Sequence, residues 1–295
     1  MPSNSKPTKG DTPSTYMVLD SKKKAEIRRL VRQHHLITTA MGGVLEEQAD
    51  PSIFHRILDV GCGPGGWMLE TAQMYPEMHL VGVDINPQML EYAREQVNAH
   101  HLKERVEFRE MDVLHGLDFP EDSFDLINLR FGISYVRTWD WPKLLGEMKR
   151  VARPGGMLRV TECEVGTRST SPAFTKISEI SVQALYRAGY FFTQETAGLT
   201  AHLKELLTAS WCEDVQTKAY PLPFHAGTPE GRLFIEDLSN VTQAMYPFMH
   251  KWGGISKAEF DVLYQQACKE MEQPDFHAIW PHLTVWGRKP LAYKK

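Results

Sequence analysis

Residues 57–67 read ILDVGCGPGGW, and this stretch decides the fold of the chain. Its first residues are mostly branched and apolar, as in a buried parallel strand. Glycines then occupy positions 61, 63, 65 and 66, and from Trp67 the apolar residues recur at helical spacing. A strand, a glycine turn and a helix in this order aim free backbone N–H groups at a ligand and allow it to approach closely. Because dinucleotide-binding folds share this pattern, the glycines alone leave the ligand open.

Three acidic residues narrow the choice of ligand. Asp59 stands two residues before Gly61, where a carboxylate suits a cationic ligand better than a pyrophosphate. Asp84 ends a second apolar strand, at the usual place of a ribose-binding acid in such folds. Asp112 follows a third strand and is placed to accept a hydrogen bond from an adenine amino group. S-adenosylmethionine (SAM) joins a nucleoside to a sulfonium and an ammonium, so it fits this set of acids.

Two later segments complete the pattern, FDLINLRFG at 124–132 and LLGEMKRVARPGGML at 144–158. In order and spacing these motifs resemble the class I SAM-dependent methyltransferases over about residues 50–165. The nearest pattern is the small-molecule branch that includes ubiquinone and menaquinone C-methyltransferases. The resemblance implies an α/β fold with a Rossmann-like, doubly wound, seven-stranded and mostly parallel sheet whose last strand is antiparallel. It also implies an enzyme that moves a methyl group from SAM to O, N, S or C of a small, largely hydrophobic metabolite, leaving S-adenosylhomocysteine.

The resemblance implies that the cofactor is contacted by residues at the ends of the first four strands and by a residue before the N-terminal helix. These candidates are Tyr16, Asp59, Gly61, Gly63, Asp84, Ile85, Asp112, Val113 and Leu129. Tyr16 could instead staple the start of that helix.

Acceptor contacts in this family usually begin after the fourth strand, which points to Arg130, Tyr135 and Trp139. Arg130 could equally pin a loop. His34 faces the apolar side of the N-terminal helix and could reach the cleft, the alternative being a packed core histidine. His225, after the sixth strand, is the candidate general base for an acceptor that must lose a proton, or else a surface histidine.

Composition predicts a disordered leader at 1–14. The resemblance implies an N-terminal helical lid (15–49), a SAM-binding core (50–224 and 279–295) and a helical cap inserted at 225–278. Aromatic residues are frequent in the segments outside the minimal core. We expect them collectively to line a closed apolar acceptor pocket, although any single ring could instead belong to the core of the cap. These residues are Tyr186, Tyr190, Phe191, Phe192, Phe224, Phe234, Tyr246, Phe248, Trp252 and Phe276.

Composition limits the partners. The net charge of −4 and the pI near 6.3 give no basic field for nucleic acid, so we expect a small-molecule substrate. Four dispersed cysteines without CxxC spacing indicate reduced thiols and no metal site. No apolar run approaches membrane-spanning length, which favours a cytoplasmic protein; a homodimer is left open. Two alternatives to the enzyme are a SAM-binding regulatory protein without turnover and a nicotinamide oxidoreductase, which Asp59 disfavours.

Overall fold

The computed structural model describes residues 24–291. The leader (1–14) and Tyr16 lie outside the described residues, so the expectations placed on them stay predictions. The boundaries of the lid, core and cap likewise stay predictions.

The described residues contain one mixed sheet. Its strands are β1 (Arg56–Val60), β2 (His79–Asp84), β3 (Val106–Glu110), β4 (Phe124–Arg130), β5 (Ala152–Cys163), β6 (Arg168–Ser169), β7 (Glu213–His225) and β8 (His277–Arg288). Their order is β3-β2-β1-β4-β5-β8, with β7 pairing the outer side of β8 and the short β6 pairing its first residues. Strands β1 to β5 run parallel, and β8 is antiparallel to β5 and β7. The predicted doubly wound sheet with an antiparallel last strand is confirmed.

Helices cover both faces of the sheet and its carboxyl edge. They are α1 (Lys24–Met41), α2 (Gly66–Met74), α3 (Pro87–Ala99), α4 (Trp141–Val151), α5 (Pro172–Arg187), α6 (Leu203–Ala209), α7 (Pro229–Ala244), α8 (Tyr246–Phe248) and α9 (Lys257–Met271). Two of them, for example, begin at side-chain caps. The Asn86 side chain accepts from the backbone at the start of α3, and Ser256 and Glu259 form a capping box on α9.

Three apolar clusters hold these layers together. One lies between the sheet and α4 and includes Val60 and Leu129. The second lies on the opposite face, under α2 and α3, and includes Ile57. The third joins α1, α5, α7 and α9 to the ends of β7 and β8 through residues such as Phe174 and Phe234. Helices α1, α5, α7 and α9 therefore share one core, at the edge where the parallel strands end.

Candidate functional site

A cavity of about 430 Å³ lies at the carboxyl ends of the central strands. Asp59 from β1, Asp84 from the end of β2 and Asp112 after β3 all line it. Parallel strands end at one edge of the sheet, so acids at consecutive strand ends share a cleft. The structure thus brings together the three carboxylates that the sequence analysis singled out.

The glycine turn forms one wall of this cleft. The backbone N–H of Gly61 donates to the Val83 carbonyl (2.8 Å), and that of Gly63 donates to Oδ2 of Asp84 (2.9 Å). Both glycines have positive φ, +71° and +53°. A Cβ on Gly61 would lie 2.4 Å from the hydroxyl oxygen of Tyr135, whereas one on Gly63 would meet nothing within 4 Å. The contact with Tyr135 therefore leaves no room for a side chain at position 61, whereas the missing side chain at Gly63 leaves space within the cleft.

The carboxylates of Asp84 and Asp112 are held by their own turns. Asp84 also accepts from the backbone N–H of Asn86 (2.8 Å), and burial raises its pKa. Asp112 accepts from the backbone N–H of Leu114 (3.1 Å) and from Nδ1 of His115 (2.7 Å). Each carboxylate has about four acceptor positions, so both can still accept hydrogen bonds from a ligand.

Asp59 is more deeply placed, with only 4% of its surface exposed. Its Oδ1 accepts from Nδ2 of Asn128 at 2.8 Å, on the neighbouring strand β4. Burial raises the pKa of Asp59 to about 7, against the opposing effects of the Asn128 hydrogen bond and the Arg130 charge. A cation bound beside this carboxyl would therefore favour its ionised form at neutral pH.

His34 and Arg130 meet at the same end of the cleft. Nη1 of Arg130 lies 3.2 Å from Oγ1 of Thr38 and 3.3 Å from Nδ1 of His34, so Nδ1 acts as an acceptor. The other ring nitrogen, Nε2, then carries the proton and donates to Glu70 at 2.9 Å. Burial lowers the pKa of His34, so the ring is neutral at pH 7.

Of the remaining cofactor candidates, Ile85 and Val113 line the cleft. Leu129 does not: its side chain is fully buried in the core under α4. Among the acceptor candidates, Tyr135 lines the cleft beside Gly61, whereas Trp139 is 59% exposed and lies outside it.

His225 also lies outside the cleft. It is the last residue of β7, it is exposed, and its ring faces His277 across the strand pair with centroids 6.2 Å apart. Neither His225 nor His277 lines the cleft, so the structure does not support the general-base hypothesis for His225.

The cleft has an apolar wall, as expected, but none of those ten rings forms part of it. Phe224 and Phe234, for example, stack on each other in the core at 4.3 Å. The apolar wall is mainly aliphatic and comes from α1, α5 and α7: Leu30, Ile177, Leu185, Leu238, Val241 and Met245. Phe131, Phe174 and Trp280 add aromatic surface.

Sequence reasoning also missed polar parts of this wall. Ser178 and Ser181 on α5 face the cleft, as does the segment 163–167 after β5. Two signals could have found them. One is a set of hydroxyl side chains on the buried face of a predicted helix. The other is the turn after a parallel strand, because that turn lies at the edge of the sheet where ligands bind.

Within residues 24–291, no group of three or more His, Cys, Asp or Glu side chains is arranged to hold a metal ion. No helix in that range is both long and apolar enough to cross a bilayer.

Comparisons with known proteins agree with this geometry. Residues 57–156 match the methyltransferase domain family. A demethylmenaquinone methyltransferase of Deinococcus radiodurans is 38% identical over 107 residues, which are 36% of this chain and 42% of that protein. The matched stretch thus spans less than half the length of that relative.

Two solved structures share the fold over most of this chain. Phosphoethanolamine N-methyltransferase 2 of Haemonchus contortus, solved with S-adenosyl-L-methionine, superposes with a TM-score of 0.57 at 18% identity, covering 95% of this chain and 61% of that one. The cyclase SpnF superposes with a TM-score of 0.52 at 19% identity, covering 92% and 97%. A fold that also carries a cyclase leaves the reaction to be argued from the site. Over residues 57–156, then, the chain is similar to the methyltransferase domain family, and its sheet has the fold of solved methyltransferases.

Proposed function

We propose that this protein transfers a methyl group from SAM to a small, largely hydrophobic organic acceptor. The observation that carries this proposal is the convergence of Asp59, Asp84 and Asp112 with the glycine turn in one cleft. These groups match the parts of SAM in order. Asp59 suits the ammonium, Asp84 the ribose hydroxyls, and Asp112 the adenine amino group, with Ile85 against the base.

The aliphatic wall supports the acceptor class. It continues the cleft beyond the acids, and side chains such as Ile177, Leu238 and Val241 offer little to a polar or charged ligand. The name of the Deinococcus radiodurans relative points to a quinone as one such acceptor. Since that match covers only 36% of this chain, we propose no acceptor class narrower than the small hydrophobic molecules that the aliphatic wall indicates.

The chain's own part in such a transfer is alignment and exclusion of water. Methyl transfer from a sulfonium is an in-line displacement in which the charge on sulfur is neutralised, so a closed apolar site favours it. Holding two reactants in line can lower the barrier by roughly 7–11 kcal/mol. A proton-accepting residue is needed only if the acceptor must first be deprotonated. With His225 outside the cleft, the proposal does not depend on that histidine.

Calorimetry tests the cofactor half of the proposal. We expect S-adenosylhomocysteine to bind, and Asp84→Asn to weaken that binding at least tenfold, because an amide cannot accept from both ribose hydroxyls as a carboxylate does. Absence of binding by the wild-type protein would contradict the proposal.

A screen of metabolite fractions for methyl uptake from labelled SAM tests the acceptor half. We expect label in apolar fractions. Cofactor binding without label in any fraction would instead favour a SAM-binding protein without turnover.

Three further expectations belong to the same proposal. The net charge of −4 disfavours a nucleic-acid acceptor, so we expect no steep loss of activity with salt. We also expect the protein to act in the cytoplasm. A homodimer is testable by light scattering.

A further inference from the structure

Arg130 carries hydrogen-bonding capacity that residues 24–291 do not use. Its Nη1 donates to His34 and Thr38, but Nε and Nη2 are buried and have no hydrogen-bond partner in that part of the chain. Burial lowers the pKa of this guanidinium only to about 10, so it stays charged at pH 7. An unsatisfied buried donor is costly, and a buried cation without a counter-ion is more so. A group of this kind in a cleft wall points to an anionic ligand.

The surroundings of Arg130 favour the same conclusion. Asn128 pairs with Asp59 across β4 and β1, and Arg130 is two residues further along, so its side chain leaves the same face of the sheet. Among the described residues no carboxylate forms an ion pair with Arg130; Asp59 and Glu70 act on it only at longer range.

A second positive feature lies beside it. Gly66 begins α2, and a Cβ there would come within 2.7 Å of the His34 ring, the ring that Arg130 contacts. Gly66 and Trp67 line the cleft at this point. The first turn of a nine-residue helix presents free N–H groups and the positive end of its dipole. The guanidinium and the helix N-terminus thus meet at one end of the cleft.

The proposed methyl donor, SAM, has an end whose charges match this end of the cleft. An α-amino acid carries an ammonium and a carboxylate on one carbon, and this end of the cleft offers Asp59 for the first and Arg130 for the second. We infer that Arg130, with the N-terminus of α2, binds the carboxylate of the methionine end of SAM. This inference rests on the proposed function and moves Arg130 from the acceptor to the donor. His34 and Thr38 are its positioning residues.

The test compares two ligands that differ in one group. S-adenosylhomocysteine has the carboxylate, and S-adenosyl-3-thiopropylamine keeps the amine but lacks it. Calorimetry on the wild-type protein should show about a 10- to 100-fold preference for the first. In Arg130→Met we expect that preference to shrink to about threefold or less, through loss of affinity for S-adenosylhomocysteine alone. Arg130→Lys should keep part of it, because lysine retains the charge without the planar fork.

Arg32→Met is the matched control, because Arg32 pairs with Glu236 at an exposed position and the substitution should leave both affinities unchanged. Equal losses for both ligands in Arg130→Met would mean a structural role, and unchanged affinities would mean that the guanidinium does not reach the carboxylate. Either result overturns the inference, as does a wild-type protein that binds both ligands equally, which needs no folded variant. Failure of the wild-type protein to bind either ligand would instead overturn the proposed function.

Discussion

Arg159 and Glu47 form a bidentate ion pair between the central sheet and the segment that follows α1, with N–O distances of 2.7 and 3.1 Å. Their side chains are 1% and 0% exposed. The third guanidinium nitrogen, Nη1 of Arg159, donates to Oδ1 of Asn128 at 2.7 Å, and Asn128 in turn donates to Asp59. The pair therefore fixes the orientation of the Asn128 amide and hence the donor that faces Asp59. It connects the N-terminal helical segment to the cofactor end of the cleft.

Removing one member of this ion pair should destabilise the protein strongly. Arg159→Met leaves the Glu47 carboxylate buried without its counter-ion, and we expect the free energy of unfolding to fall by about 3–5 kcal/mol. Replacing both residues, Arg159→Met with Glu47→Leu, should recover most of that loss because no unpaired charge remains. Urea unfolding followed by tryptophan fluorescence measures both changes.

The control for this prediction is an exposed pair. Lys176 and Glu179 are 2.8 Å apart on α5 and more than half exposed, so Lys176→Ala should cost no more than about 1 kcal/mol. A loss below about 1 kcal/mol for Arg159→Met as well would show that the buried pair is not a major contribution to stability.

The pKa of Asp59 predicts a pH dependence of cofactor binding. In the free protein burial raises that pKa to about 7, so the carboxyl is largely protonated at pH 6 and largely ionised at pH 8. A ligand ammonium favours the ionised form, so binding should lower the pKa and release protons below pH 7. Affinity for S-adenosylhomocysteine should therefore rise with pH between about 5.5 and 7.5 and then level off.

Calorimetry in buffers of different ionisation enthalpy measures the proton release directly. Asp59→Asn cannot ionise and should bind more weakly, with a flatter pH profile. His34 does not produce the same slope above pH 6.5, because burial lowers its pKa below that value and leaves it neutral there. An unchanged slope in Asp59→Asn would assign the titration to another group.

Glycines 61 and 63 should respond differently to a methyl group. Both have positive φ, which costs an alanine roughly 1–2 kcal/mol. Gly61→Ala also drives Cβ into the Tyr135 hydroxyl, so we expect a larger loss of stability in that variant. Gly63→Ala has open space, so its stability loss should stay near the backbone cost while its Cβ enters the cleft.

Thermal unfolding and calorimetry with S-adenosylhomocysteine separate the two effects. We expect Gly63→Ala to lose at least tenfold in affinity while remaining folded. Gly227→Ala, where a Cβ meets nothing within 4 Å, is the control for the substitution itself. Unchanged affinity in Gly63→Ala would mean that the ligand does not pass over this turn.

Local patterns in the sequence were sufficient to predict the fold and the cofactor acids. Each acid ends a short apolar strand, and parallel strands place their ends together whatever the rest of the chain does. The length of β7 was not predictable in this way. Proline lacks the N–H that a strand interior donates, yet β7 continues through Pro221 and Pro223 to His225. Among the described strands β7 pairs with β8 alone, so no described ladder partner on its outer edge needs the missing N–H groups.

The acceptor wall was not predictable because helical periodicity shows which face is buried but not against what. The ring of Phe234 and the side chain of Leu238 lie one turn apart on α7. The first packs on Phe224 in the core, and the second lines the cleft. Only the crossing of α7 over the β7–β8 ends decides between the two, and that is set by residues far apart in sequence.

Two histidines provide a final contrast. His34 joins Glu70, Thr38 and Arg130 through both ring nitrogens, so His34→Ala leaves buried donors and acceptors without partners. We expect it to lower the free energy of unfolding by about 1–3 kcal/mol and to weaken binding of S-adenosylhomocysteine. His225→Ala removes an exposed ring at a strand end and should change stability by no more than about 0.5 kcal/mol, with cofactor affinity and turnover unchanged. Urea unfolding and calorimetry on both variants measure the difference. A selective loss of turnover in His225→Ala, with cofactor affinity intact, would mean that the cap rearranges to bring this histidine to the acceptor.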